Sequence, residues 1–277
     1  MSTVIVGVDE SEHSRPALRW AARHAEHARL PVKAVMAWDL IGQHHVAADQ
    51  RFDPDYSAET ANEVLREIVE KTLGPDHSAT CEAVLGRPSD ALLGAAEPDD
   101  LLVVGARGIG GFKGLLLGSV SRHVLHHAHC PVAVVRDDAD RSWRPVVVGV
   151  NGSTASLRAL EWAARYASLN KSPLVAVYAW QVPTPMTYYD FVPDLDAIAT
   201  DAKRFVDTQV ASLDTPGVVA QARAVQGPAS SALLDAAANA SVVVVGARGH
   251  AKLPGSLLGS VSDQVVHHAT CPVVVVP

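Results

Sequence analysis

One seventeen-residue frame occurs twice in this 277-residue chain, 141 positions apart, and each copy follows a run of valines. The first reads Gly105-Ala106-Arg107-Gly108, nine residues, then Gly118-Ser119-Val120-Ser121. The second reads Gly246-Ala247-Arg248-Gly249, nine residues, then Gly259-Ser260-Val261-Ser262. A buried strand that runs into glycine brings bare backbone N–H groups close to an anion, because no Cβ intervenes. A Gly-Ser pair leading into Val120, Val124, Leu125 and Ala128 reads as a cap on an amphipathic helix. The N–H groups and dipole at such a helix start favour phosphate. The frame is read as a phosphate cradle, and its duplication at one spacing points to two nucleotide sites in one chain.

More than the glycines is repeated. Asp9 aligns with Asn151, Trp20 with Trp162 and Trp38 with Trp180 at an offset of 142; Gly86 aligns with Gly227, His127 with His268, Cys130 with Cys271 and Pro131 with Pro272 at 141. A single-residue deletion between Trp180 and Gly227 explains the change of offset. Each unit is large enough to bury its own core, so the chain divides into a first domain over 1–136, a polar linker over 137–144 and a second domain over 145–277.

Within each unit, short β-branched runs alternate with helical patterns, the signature of a parallel sheet built from βαβ crossovers. Strands are expected at Thr3 to Val8, Val32 to Trp38, Thr80 to Gly86, Leu101 to Gly105 and Pro131 to Arg136. Their counterparts are Pro145 to Val150, Leu174 to Trp180, Val218 to Gln226, Val242 to Gly246 and Pro272 to Val276. The runs read as apolar on both faces, as for strands covered by helices on each side. The second helix is expected over roughly Ser57 to Leu73 and Asp194 to Leu213; in the short third, Ser89 and Ser230 after proline suit an N-cap. The fold class is α/β: two tandem open doubly wound parallel sheets of Rossmann-like type. Ligands of such sheets bind beyond the carboxyl ends of the strands at the switch point. The glycine frame there meets the end of strand one, Val8-Asp9-Glu10-Ser11 or Val150-Asn151-Gly152-Ser153, if the strand order is 3-2-1-4-5.

Composition narrows the function. Hydrophobic residues make up 48% and charged residues 19%, which supplies two packed cores and argues against disorder. A net charge of −7 gives no general attraction to nucleic acid or anionic lipid. The start of the chain enters a strand-like run without a basic leader, and no apolar stretch approaches a membrane span, so a cytoplasmic location is expected. Cys81, Cys130 and Cys271 form no CxxC pair.

With these residues placed, the chain resembles the tandem-domain universal stress proteins, specifically the ATP-binding branch that carries G-x2-G-x9-G-[ST]. The resemblance covers nearly the full length of both halves. It implies ATP, with Mg, as cofactor in each domain. By likeness, Gly105, Gly108, Gly118, Ser119, Val120 and Ser121 would hold the triphosphate and ribose, matched by Gly246, Gly249, Gly259, Ser260, Val261 and Ser262. Asp9 would sit near the ribose and phosphates and is the candidate magnesium contact; Ala37 and Ala179, at the ends of strand two, would touch adenine. The neighbouring strand ends complete the expected site: Gly7, Val8, Ser11, Val104 and Arg107 in the first half, Gly149, Val150, Asn151, Ser153, Val245 and Arg248 in the second. The second half departs from the family pattern at Asn151, which keeps the shape of aspartate but loses its charge. That change should weaken a contact to Mg²⁺ more than a hydrogen bond to ribose.

Other residues carry plainer readings. Arg107 and Arg248 either neutralise phosphate or point to solvent, and Lys113 and Lys252, in the nine-residue loops, suit solvent. His123, His126, His127 and His129 crowd the end of helix four, with His267 and His268 in the second copy; a helix C-terminus favours histidine, and no carboxylate or cysteine pair completes a metal set. Cys130 and Cys271 read as small buried apolar residues, and the paired tryptophans as packing. The valine runs 132–135 and 273–276 would be apolar sheet edges, able to join the halves as an internal pseudo-dimer; a homodimer is also open.

The leading functional reading is an ATP-binding stress-response regulator, in which nucleotide orders the loops and changes binding of a partner. Neither half has a GxxxxGK[ST] loop or a kinase HRD or DFG motif, and no water-positioning base stands out, so catalysis beyond weak hydrolysis is not expected. A slow ATPase or nucleotidyl transferase is the second reading, and an interaction module without nucleotide the third. A dehydrogenase is disfavoured, because the turn after strand one lacks G-x-G-x-x-G.

Overall fold

The computed structural model describes residues 2–39, 57–108, 117–137, 139, 141, 143–182, 194–249 and 258–277. The chain divides into two compact units, residues 1–140 and 141–276.

In the first unit the elements run β1 (Val4–Gly7), α1 (Ser14–Ala28), β2 (Val32–Trp38), α2 (Ala58–Leu73), β3 (Thr80–Leu85), α3 (Pro88–Ala95), β4 (Leu101–Gly105), α4 (Ser119–His127) and β5 (Val132–Val135). The strands are parallel and ordered β3-β2-β1-β4-β5. The second unit repeats the plan with β6 (Val146–Gly149), α5 (Thr154–Asn170), β7 (Leu174–Trp180), α6 (Leu195–Ala211), β8 (Ala220–Gln226), α7 (Ala229–Ala237), β9 (Val242–Gly246), α8 (Ser260–His268) and β10 (Val273–Val276). Its order is β8-β7-β6-β9-β10. Each unit is thus an open doubly wound α/β sheet with the expected order 3-2-1-4-5.

The valine-rich runs form the central strands because β-branched side chains suit a pleated, covered surface. Val4, Ile5 and Val6 in β1 and Leu102 and Val103 in β4 are no more than 1% exposed. Helix α1 lays Ala17, Leu18, Ala21 and Ala25 on the sheet, with alanine at most of these positions so that the helix sits close. Full burial of a side chain such as Leu18 or Leu102 contributes about 1.5–3 kcal/mol. The helix stops at Arg29, whose left-handed conformation (φ 55°) turns its N–H to the carbonyls of Ala25 and Glu26; Lys171 (φ 50°) ends α5 in the same way.

Two local expectations change. Strands β3 and β8 alternate between half-buried and exposed residues, because they are the outer strands of their sheets. Leu85 is accordingly 63% exposed. By contrast β5 and β10, expected as apolar runs able to pair, are buried throughout. The short third helices begin two residues earlier than expected: Arg87 and Pro228 occupy the N-cap positions, and neither Ser89 nor Ser230 caps. Proline itself opens α3, where its missing N–H costs nothing.

Candidate functional site

Strands β1 and β4 are adjacent and parallel, with Val6 paired to Val103. Their carboxyl ends therefore emerge side by side and carry the strand-one turn to the glycine frame. A Cβ placed on Gly108 would lie 2.6 Å from Oδ2 of Asp9, and one on Gly249 would lie 2.8 Å from Nδ2 of Asn151. The two motifs that the sequence separates by about a hundred residues thus touch in each domain.

The glycines of the frame have different jobs. A Cβ on Gly105 would meet the carbonyl oxygen of His13 at 2.8 Å, and one on Gly246 would meet the backbone of Ala155 and Ser156 at 2.8 and 2.9 Å. The first glycine therefore lets the first helix start close against the sheet. Gly118 is different: the nearest atoms to a Cβ there are at 3.5 Å, ordinary contact, and its φ of −74° suits any residue. Packing among the described residues does not require a glycine at this position.

Gly118, not Ser119, is the N-cap of α4, and Gly259 is the N-cap of α8. Neither helix start has a side-chain cap. The glycine N–H groups turn inward, Gly118 to Ala106 at 2.7 Å and Gly259 to Ala247 at 2.8 Å, which ties the frame into a closed turn. The first-turn N–H groups of Ser119, Val120, Ser260 and Val261 then face outward from an uncapped helix start, the arrangement that suits an anion. Ser121 and Ser262 are only 3% exposed. Their hydroxyls donate to backbone: Ser121 to Gly105 at 2.6 Å, Ser262 to Ala247 at 3.0 Å and Gly259 at 3.1 Å. In this structure these serines brace the turn.

In the second domain the strand ends and the frame enclose a cavity of about 430 Å³, within the range of small-molecule sites. Every second-half candidate except Ser153 lines it: Gly149, Val150, Asn151, Ala179, Val245, Gly246, Arg248, Gly249, Gly259, Ser260, Val261 and Ser262. Ser153 instead caps α5, accepting from the N–H of Ser156 at 3.3 Å. The wall also contains Ser156, Val177, Ala229, Leu233 and Leu258, which the sequence reading did not single out. Val177 was within reach of it, since residues two apart on a strand share a face and Ala179 was named. Leu233 reaches the site from α7 and lies 3.0 Å from where a Cβ on Gly149 would begin; in the first domain Leu92 of α3 meets Gly7 at the same distance. A glycine ends strand one so that this leucine can close the floor.

The first-domain candidates Gly7, Val8, Asp9, Ser11, Ala37, Val104, Gly105, Arg107, Gly108, Gly118, Ser119, Val120 and Ser121 occupy the same strand ends and helix start. Asp9 is half-buried, and its Oδ1 accepts from the N–H of Ser11 at 3.1 Å and from the Ser11 hydroxyl at 2.5 Å. Both Arg107 and Arg248 are exposed, and Arg248 borders the cavity. Lys113 and Lys252 lie outside the described residues. The rings of His123 and His127 stack at 4.1 Å, and among the described residues no group of three or more His, Cys, Asp or Glu could hold a metal. Cys130 is 2% exposed, and burial, with the nearby Asp100 charge, raises its thiol to about 11. Among the described residues no helix is long and apolar enough to cross a membrane.

The fold and site define a class: two tandem doubly wound α/β domains, each with a glycine frame at the switch point between its first and fourth strands. A profile of the universal stress protein family matches residues 1–136 and 142–277. The chain belongs to the universal stress protein family. It is 32% identical to a universal stress protein of Mycobacterium tuberculosis, over 98% of this chain and 95% of that one. It is 33% identical to one from Mycolicibacterium smegmatis, over 99% and 96%. Among solved structures, a universal stress protein from Archaeoglobus fulgidus superposes with a TM-score of 0.72 at 23% identity, covering 99% of this chain and 97% of that one.

Proposed function

We propose that the chain is an adenine-nucleotide-binding regulatory protein with one ATP site in each domain. The observation that carries this reading is the junction of two surfaces in one cavity. An uncapped helix start at Gly259-Ser260 offers N–H groups for phosphates, and the apolar end of β7, with Val177 and Ala179, offers a surface for a base. Gly118 supports it from the first domain, because a glycine that packing does not require leaves room for a ligand.

Magnesium fits this reading in the first domain. It is commonly held by one or two carboxylates together with substrate phosphates and keeps several waters. Asp9, with Oδ2 toward Gly108, supplies one such carboxylate at the frame; the ion would neutralise phosphate charge there. Ligand occupancy would then act by shifting the domain between states that a partner distinguishes.

Extraction of nucleotide from the natively purified protein, with identification by mass spectrometry, tests the proposal. One adenine nucleotide per domain is the expected content, and a chain carrying Gly118→Val and Gly259→Val should hold none. A fully folded protein that neither retains nor rebinds adenine nucleotide would rule the reading out.

A further inference from the structure

The two domains differ in the strand-one turn, and the difference reverses what that turn presents to an anion. In the first domain Oδ1 of Asp9 is engaged by the N–H and hydroxyl of Ser11, so the oxygen toward the frame is Oδ2, beside Gly108. A carboxylate oxygen only accepts, and it repels phosphate unless a cation lies between them. In the second domain Oδ1 of Asn151 accepts from the N–H of Ser153 at 3.0 Å. An N–H cannot donate to an NH₂ group, so this bond fixes which way the amide faces. Its Nδ2 consequently stands toward Gly249, 2.8 Å from where a Cβ there would begin, and both residues line the cavity. One turn presents a charged acceptor and the other a neutral donor.

The serines adjust to this exchange. Ser11 gives its hydroxyl hydrogen to Asp9 and does not cap α1, which begins at Ser14 with His13 as its uncapped N-cap. Its counterpart Ser153 is released from that bond, caps the first helix of the second domain and lets it begin at Thr154. The charge at Asp9 is thus held in place by a hydroxyl that the second domain uses for its helix.

Resting on the nucleotide reading above, we infer that Asn151 donates directly to a nucleotide phosphate, so that the second site binds ATP without a divalent cation, whereas Asp9 makes the first site depend on one. Phosphate oxygens are acceptors, so the Asn151 amide meets them as a hydrogen-bond partner where the Asp9 carboxylate needs a bridging ion. Arg248, at the border of the same cavity, adds positive charge. The chain then has two loading states set by free Mg²⁺: one nucleotide when the cation is scarce and two when it is abundant.

Equilibrium dialysis of the nucleotide-stripped full chain against ATP, in EDTA and in MgCl₂, reads this directly. One ATP per chain in EDTA and two in Mg²⁺ is the expected pair of counts; none or two in EDTA with two in Mg²⁺ overturns the inference while the nucleotide reading stands, and a single ATP in Mg²⁺ overturns both. No binding even with Mg²⁺ would instead defeat the nucleotide reading itself. The exchanged chains assign the effect to the turn. Asn151→Asp should bring binding in EDTA to near zero, with a drop of about tenfold or more in affinity at that site, and full binding in Mg²⁺ shows that it still folds. Asp9→Asn should give two ATP in both buffers, and a chain that keeps its Mg²⁺ requirement after this change refutes the role given to Asp9.

Discussion

Oδ2 of Asp9 occupies the space that a side chain on Gly108 would enter, 2.6 Å from the Cβ position. The second glycine of the frame therefore makes room for the strand-one acid. In a Gly108→Ala chain the flexible carboxylate must swing aside, which a half-buried side chain does cheaply. Thermal unfolding should move by less than about 3 °C. ATP affinity of the first domain should fall about tenfold, or about 1.4 kcal/mol. Calorimetric titration in Mg²⁺ beside a melting curve checks both; unchanged affinity would show that the Asp9 position is irrelevant to the ligand.

Gly105 and Gly118 should separate stability from binding. Alanine at Gly105 collides with backbone, at 2.8 Å from the His13 carbonyl and 3.1 Å from that of Arg107. Backbone cannot rotate away, so Gly105→Ala should cost about 2 kcal/mol or more. Serine at Gly118 finds ordinary space and a backbone that suits an N-cap, and should gain a few tenths of a kcal/mol for α4. The same hydroxyl would fill the helix start, so Gly118→Ser should lower ATP affinity by about tenfold or more while the protein becomes slightly more stable. Urea titrations of the two variants, with nucleotide binding measured on each, check the opposite signs.

The parallel α/β plan was legible in the sequence, because valine runs alternate with helical patterns, and the order 3-2-1-4-5 is the one that lets the polar ends of strands one and four meet. The position of the cleft followed from that order. What each residue does inside the frame was less legible. Gly105 and Gly118 look alike in a sequence, yet one is demanded by the first helix and the other is not, which only the approach of His13 reveals. Ser119 resembles an N-cap by type, but the chain enters α4 through Gly118 in extended geometry, and Ser119 is already helical. Leu92 and Leu233 belong to short helices whose facing depends on tertiary placement, so periodicity alone did not bring them to the site.

Ser11 and Ser153 align, yet their hydroxyls are used differently. Ser153→Ala removes the acceptor for the N–H of Ser156 and should destabilise the second domain by about 1 kcal/mol. Ser11→Ala removes no cap; it releases Asp9 instead. Its stability cost should be smaller, because solvent reaches both half-buried groups, with the larger effect on Mg²⁺-dependent ATP binding. Chemical denaturation of both variants at one pH compares the two, and an equal stability loss would contradict the division of roles.

His24 gives the first domain an acid-sensitive position. Its ring stacks on Trp20 at 5.5 Å and is 8% exposed, and burial, with the charge of His27, lowers its pKa to about 4 from the usual 6.5. The folded state therefore holds His24 neutral at pH values where the unfolded chain binds a proton. Its contribution is present in full above pH 6.5 and is lost progressively as pH falls toward 4. Between pH 7 and pH 5 the loss amounts to about 2 kcal/mol. The second domain carries Tyr166 at the aligned position, stacked on Trp162 at 5.3 Å, which shows that a tyrosine suits the site. Denaturant unfolding of wild type and His24→Tyr at the two pH values measures the difference. The variant should lose about 2 kcal/mol less than wild type on acidification, and equal losses would mean that His24 is not the group that titrates.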